Sequence, residues 1–222
     1  MRSAVAFPIS RERRRRALSL DLRANRLAAN GKDLEAWRLV RESLDVDAAA
    51  PHANVLAGDQ LLWSWECLGL AGYSGELAAR EALPYYRRAL AVQPGNADAY
   101  SGQTAALLEI GELEAAVTSA RESLAVLDAR IGAQMDDPEV YRLVAEEVYS
   151  NAVKALAAAG EMEEARVALA RGLAEFPGCP FLERPYERVG LPASTDDEAA
   201  LTTAGKPAIL ANDESGGTSD DH

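Results

Sequence analysis

Three stretches of the chain carry the same interval of small residues. Gly31, Ala36, Ser43 and Ala48 are spaced by five, seven and five residues; Gly111, Ala116, Ser123 and Asp128 repeat that spacing, and so do Gly160, Ala165, Gly172 and Pro177. A partial copy stands at Ala82, Ala89 and Pro94. The pattern also extends backward from each glycine. Four residues earlier stands Leu27, Leu107 or Leu156; seven earlier, Ala24, Thr104 or Val153; eleven earlier, Leu20, Tyr100 or Tyr149. Steps of four, seven and eleven return to one face of a helix, so the repeating unit is helical. Small residues belong where two helices cross closely, large ones fill the space between crossings, and the glycine turns the chain back. A chain built this way is restricted to stacked copies of one small unit.

Punctuation agrees with the repeat. Breaks fall at Gly31, Pro51, Gly72 to Gly75, Pro94-Gly95-Asn96, Gly111, Pro138, Gly160 and Pro177-Gly178, with glycine at helix ends and proline just beyond them as stop signals. These breaks predict helices over about 11–29, 33–46, 52–70, 76–92, 97–109, 113–131, 138–159 and 162–175, with a short one near 181–189. No segment reads as a strand.

The stretch Pro94-Gly95-Asn96-Ala97-Asp98-Ala99-Tyr100 leading to Gly111-Glu112-Leu113-Glu114-Ala115-Ala116 resembles a junction and turn of the tetratricopeptide repeat (TPR) family. Gly160-Glu161-Met162-Glu163-Glu164-Ala165 and Gly31-Lys32-Asp33-Leu34-Glu35-Ala36 match the same turn, and the resemblance covers about residues 17–178. It implies an all-α solenoid of about four TPR-like helix-turn-helix units, closed here by a short capping helix. Two departures stand out. The second unit lacks a clean glycine five before Ala82 and carries about a dozen extra residues, including Gly69 to Gly75. The spacing from Gly111 to Gly160 also exceeds one repeat, so about 15 residues are inserted across Ile131 to Pro138. Both insertions predict long helices, near 52–70 and 138–159.

Composition sorts the ends from the body. A 222-residue chain with 48% apolar content can bury one sizeable core without disulfide staples. Residues 11–190 form the repeat domain, residues 1–10 a loose lead-in. Residues 191–222 are rich in Pro, Gly, Ser, Thr, Asp and Glu, and are expected to be a disordered acidic tail. The two cysteines lie far apart and fit a reducing compartment. Charges interrupt any apolar core after Arg13 to Arg16, so no secretory signal is expected, and no run approaches a membrane span. The reading is a cytoplasmic protein. Scarce lysine and abundant alanine fit a GC-rich bacterial genome.

The net charge is −12, unevenly spread: residues 1–50 carry an excess of four basic groups, residues 51–190 an excess of ten acidic ones, and residues 191–222 an excess of six acidic ones. A body this acidic repels phosphate backbones, which argues against nucleic acid. The run Arg11 to Arg16 is read as a solvated first helical turn, or as paired internally with the acidic tail, rather than as a nucleic-acid or partner site, since no aromatics interleave with it.

Nothing suggests catalysis or a cofactor. The two histidines, His52 and His222, make no cluster with cysteines and carboxylates, and no phosphate-binding glycine loop appears. Cys67, in Leu61-Leu62-Trp63-Ser64-Trp65-Glu66-Cys67-Leu68, reads as a buried thiol, and Cys179 as a loop residue. A small-molecule substrate is not expected, and no membrane is implied.

The resemblance places the first helix of each unit along a concave groove. Its lining would then include Asp21, Asn25 and Ala28 in the first unit, Asp98, Ser101, Ala105 and Leu108 in the third, and Glu147, Ser150, Lys154 and Ala157 in the fourth. Family members that clamp a chaperone's C-terminal carboxylate use a lysine and an asparagine of the first unit and basic groups of the third. Here Asn25 is present, but Asp21 stands where the lysine would be and Asp98 and Gly102 replace the basic groups, so carboxylate capture is not expected. An acidic groove with small side chains should instead accept a basic or amphipathic segment of another protein. Asp98 and Glu147 are expected to be exposed. Trp63, Trp65 and Tyr73, flanking the second-unit insertion, form an alternative contact surface, because aromatics carry binding hot spots. The function expected is that of an adaptor, scaffold or assembly chaperone. A regulator holding a peptide in the groove is the alternative.

Overall fold

The computed structural model describes residues 9–69, 73–129 and 137–182, and all of its regular structure there is helical. Eight helices follow one another among these residues: α1 (Arg11–Ala28), α2 (Asp33–Val46), α3 (Pro51–Ser64), α4 (Gly75–Val92), α5 (Ala97–Glu109), α6 (Leu113–Asp128), α7 (Pro138–Ala158) and α8 (Met162–Glu175). A further helical turn begins at Pro180. Most of the expected capping helix, the acidic tail and the lead-in before Ile9 lie outside the described residues.

The repeated glycines turn the chain by one mechanism. Gly31, Gly111 and Gly160 adopt φ of 68°, 77° and 83°, a left-handed conformation that costs a side chain-bearing residue about 1–2 kcal/mol. In each turn the residue after the glycine donates its N–H to the repeat leucine: Lys32 to Leu27 at 3.0 Å, Glu112 to Leu107 at 2.9 Å and Glu161 to Leu156 at 2.8 Å. Each glycine N–H bonds three residues back, to Ala28, Leu108 or Ala157. These paired bonds satisfy carbonyls that a helix end otherwise leaves open, and so fix the reversal.

Between units a second turn recurs. Ala50 donates to the Asp47 carbonyl at 3.0 Å, Asn96 to Gln93 at 3.1 Å and Cys179 to Phe176 at 3.2 Å. The residue reached in this way precedes the next helix and is buried in all three cases. Asn96 also caps α5 with its side chain, accepting from the Ala99 N–H at 3.0 Å. The fourth unit thus ends like the first and second, and Pro180 opens a helix as Pro51 and Ala97 do.

The small residues of the repeat sit at the crossings. Ala36, Ala82, Ala116 and Ala165 are fully buried, as are Ser43, Ala89 and Ser123. Leu107, Leu156, Tyr149 and Val153 fill the spaces between. Each helix packs on its pair partner, α1 on α2 through α7 on α8. The odd helices also pack on one another in a row, α1 on α3, α3 on α5 and α5 on α7. Each even helix instead bridges to the first helix of the next pair. The result is an α-solenoid of four TPR-like helix pairs, with the odd helices packed in a row as its inner layer and the even helices outside.

Two expectations about the second unit are corrected. The long helix expected over 52–70 stops at Ser64, and residues 65–69 form turns ending at Gly69, with φ of 67°. The chain coils back there because Leu68 turns into the core while Leu68 N–H bonds the Ser64 carbonyl at 3.0 Å. Cys67 lies on that turn and is exposed, whereas Cys179 is the buried thiol. The other long helix is present: α7 spans 21 residues.

Candidate functional site

Helical spacing decides what the inner layer presents. On α3, His52, Asp59 and Trp63 fall within about 40° of one another around the helix axis. On α7, Val140, Leu143, Glu147 and Lys154 fall within about 60°. Asp98, Ser101 and Ala105 do the same on α5, which lies between α3 and α7. The three stripes meet along one trough: α5 packs on both α3 and α7, Ser101 on α5 bonds Glu147 on α7, and Asp59 lies near enough to Asp98 and Glu147 for their charges to act on it. Three carboxylates from three successive units therefore meet on one floor.

Asp59 is held from the outer layer. Tyr86, on α4, is completely buried, and its hydroxyl donates to Asp59 Oδ1 at 2.8 Å. The ring passes between α3 and α5 at two glycines. A methyl group at Gly58 would lie 2.6 Å from that ring, and one at Gly102 would lie 2.3 Å from it. Only residues without a side chain leave this slot open.

On the other side of α5, Ser101 links to α7. Its hydroxyl donates to Glu147 Oε1 at 3.4 Å, and Asn151 Nδ2 donates to Ser101 Oγ at 3.0 Å. Lys154 Nζ donates to Asn151 Oδ1 at 3.5 Å. Asp98 differs from its neighbours: no described donor hydrogen-bonds its carboxylate.

Crowded carboxylates resist ionisation. Burial, then the Asp98 and Glu147 charges, lift Asp59 well above the usual carboxylate range, against the Tyr86 hydrogen bond. Burial lifts Asp98, with His52 opposing. Burial and the charge of Asp98 push Glu147 up to about 7, while the Ser101 hydrogen bond and Lys154 pull the other way. A cation brought into the trough would favour the ionised forms of all three.

The residues expected along the groove divide into two groups. Asp98, Leu108, Glu147 and Ala157 are half-buried, Lys154 and Asn25 are exposed, and Ala28 is half-buried. Asp21, Ser101, Ala105 and Ser150 are buried. The expectation that Asp98 and Glu147 stand exposed is corrected: both are half-buried, because the inner helices pack closely enough for Ser101 on α5 to bond Glu147 on α7. Asp21 is 2% exposed, and its Oδ1 finds no hydrogen-bond donor. Burial raises its pKa, opposed by the nearby Ser43 hydroxyl, which itself donates to the Ala17 carbonyl at 3.2 Å, and by the charge of His52.

The aromatic residues of the second-unit insertion separate. Trp63 lies on the groove face of α3 and is 59% exposed. Trp65 follows the end of α3 and is half-buried. Tyr73 precedes α4 and donates its hydroxyl to Glu81 Oε2 at 2.5 Å. Only Trp63 thus joins the carboxylate floor. Sequence reasoning missed Asp59, Tyr86 and Leu143. The interval His52–Asp59–Trp63 is the signal that finds Asp59.

Among the described residues, no group of three or more His, Cys, Asp and Glu side chains is arranged to hold a metal ion. No described helix is long and apolar enough to cross a membrane. On the outer side, a shallow cleft beside α4 is lined by Arg80, Pro84, Arg87 and Glu112, without convergent chemistry.

No known family's profile matches the chain, and no curated protein matches it. Among solved structures it is similar to one described as "MamA RS-1 ArsTM double mutant", with 14% identity, 82% of this chain and 99% of that chain covered, and a TM-score of 0.36.

Proposed function

We propose that the chain is a protein-interaction module, serving as an adaptor, scaffold or assembly chaperone of a cytoplasmic complex, and that the inner face of its odd helices holds a basic or amphipathic segment of the partner. One observation carries this reading. The trough gathers Asp59, Asp98 and Glu147 from three successive units, with His52 and Lys154 as the basic groups acting on them, and among the described residues no donor hydrogen-bonds Asp98. Half-buried carboxylates crowded together are costly to ionise, so an incoming Lys or Arg gains more here than on an open surface. Small floor residues, Ser101 and Ala105, leave room for a partner's backbone to approach. Electrostatic attraction of this kind speeds association and weakens with salt.

The test is crosslinking affinity capture of the native partner, comparing the natural chain with an Asp98→Asn/Glu147→Gln variant across a salt series. These near-isosteric changes suit half-buried positions, where lysine would force unfavourable packing. Loss of the partner, together with a flatter salt dependence, supports the reading. Undiminished capture with an unchanged salt slope moves the binding surface elsewhere.

A further inference from the structure

We propose that the trough recognises a segment in which cationic side chains are flanked by apolar ones, the cations lying over Asp98 and Glu147 and the apolar anchors over Trp63 and Leu143. This rests on the reading of the inner face as the binding surface, and adds to it a second, apolar half.

The apolar half is independent of the charges. Leu143 is 67% exposed and Trp63 59% exposed, placing both among the most exposed large apolar side chains of the described residues. Val140, 39% exposed, stands beside Leu143 on the same stripe. Scattered exposed apolar side chains are ordinary on a protein surface. These share one face with a carboxylate floor, and they lie on opposite sides of it.

Their order along the trough follows from chain direction. Successive inner helices run the same way, because each pair reverses the chain twice. Leu143 lies one turn before Glu147, near the start of its helix, and Trp63 one turn after Asp59, near the end of its helix. The carboxylates therefore lie between the two anchors. Two helix-to-helix spacings of roughly 8–10 Å separate α3 from α7, so the anchors are on the order of 20 Å apart. A segment crossing that distance meets an apolar side chain, then acids, then an apolar side chain. Charge complementarity fixes the middle of the occupant, and the exposed Leu and Trp fix its ends.

The experiment uses the full chain and three synthetic peptides of equal length. One has central Lys and Arg flanked by Leu and Phe. The second replaces the cations with Glu, and the third replaces the apolar residues with Ser. Calorimetry measures affinity, and the Trp63 indole N–H signal, assigned by its absence in Trp63→Phe, reports contact. The first peptide should bind and move that signal, and the other two should bind about tenfold or more weakly. Trp63→Ala and Leu143→Ser should each weaken the first peptide about tenfold, a difference of roughly 1.4 kcal/mol. Both side chains are exposed, so unchanged thermal melts should accompany the loss. If Asp98→Asn/Glu147→Gln weakens binding while Trp63→Ala and Leu143→Ser do not, the apolar anchors are wrong and the inner-face reading stands. If the Glu-bearing peptide binds equally, the charge half is wrong. If no peptide binds, or no variant matters, both readings fall.

Discussion

The Tyr86 hydroxyl crosses from the outer layer to donate to Asp59 Oδ1 at 2.8 Å, through a slot that exists because residues 58 and 102 are glycines. Helix propensity alone favours alanine over glycine by about 1 kcal/mol. At Gly102 a methyl group would instead meet the Tyr86 ring at 2.3 Å. Gly102→Ala should therefore destabilise by about 1–3 kcal/mol despite its better propensity. Tyr86→Phe should cost about 1 kcal/mol, the net value of one hydrogen bond. Denaturant unfolding of Gly102→Ala, of a Tyr86→Leu variant and of the double variant checks the slot. If the two costs add fully, the residues do not share it.

The repeat register predicts a second set of costs. Ala116 and Ala165 are fully buried at helix crossings, so Ala116→Leu or Ala165→Leu should lose about 1–3 kcal/mol to overpacking. Gly111→Ala should cost about 1–2 kcal/mol for a different reason, its left-handed backbone; nothing lies within 4 Å of a methyl group added there. Thermal melts that leave all three unchanged contradict the register.

The helix pairs were legible in the sequence because glycine and proline mark both kinds of turn, and because crowding at a crossing selects alanine or serine at a fixed interval. Legibility failed where that interval is broken. Leu61-Leu62-Trp63-Ser64-Trp65 reads as continuous helix, and nothing local announces a stop at Ser64; burial of Leu68 and the left-handed Gly69 decide it together. Cys67 was misplaced for the same reason. Asp98 and Glu147 could be mapped from the regular units, whereas Asp59 sits in the irregular one, where counting back from Ala82 fails. The partial repeat at Ala82 and Ala89 puts Tyr86 on an outer helix, and only the packed structure shows its ring reaching the inner face.

The carboxylate floor makes stability depend on pH in an unusual direction. Asp59, Asp98 and Glu147 hold protons more tightly when folded than when unfolded. Between the ordinary carboxylate range and about 7, the value for Glu147, the folded chain carries more protons, so their contribution to stability falls as pH rises. Glu164 works oppositely: the Arg121 hydrogen bond lowers its pKa, giving stability that is lost as pH falls. Comparing variants separates the two. Glu147→Gln should gain stability relative to the natural chain as pH rises from 5 to 8 and show little difference at pH 4. Parallel stability–pH curves would remove the coupling.

The exposed outer-layer ion pairs should contribute little. Arg121 meets Glu164, and Arg171 meets Asp128, with all four side chains 40% or more exposed. Such pairs are typically worth 0–1 kcal/mol and are screened by salt. Arg121→Ala should lower stability by less than about 1 kcal/mol, and the difference should shrink at high salt. A larger, salt-insensitive loss would mean that the arginine stem contributes packing as well as charge.

Asp21 supplies the last prediction, because its place in the groove and its burial point in different directions. It lies on the innermost helix of the first unit, where the repeat register puts a lining residue, yet it is 2% exposed with Oδ1 lacking a donor. A carboxylate in that state loses its hydration without full replacement, a cost that burial registers as a raised pKa. The amide of asparagine has nearly the same shape and no charge to desolvate. Asp21→Asn should therefore raise the melting temperature at pH 8, with the gain fading below pH 4 as the natural side chain takes up its proton. Because no partner can reach the side chain, binding should match that of the natural chain, unlike Asp98→Asn/Glu147→Gln. Thermal melts at the two pH values, read beside one binding isotherm, decide the matter. A variant less stable at both would mean that the Asp21 carboxylate makes a contact that an amide cannot replace. A variant with unchanged stability but weakened binding would place Asp21 on the accessible floor.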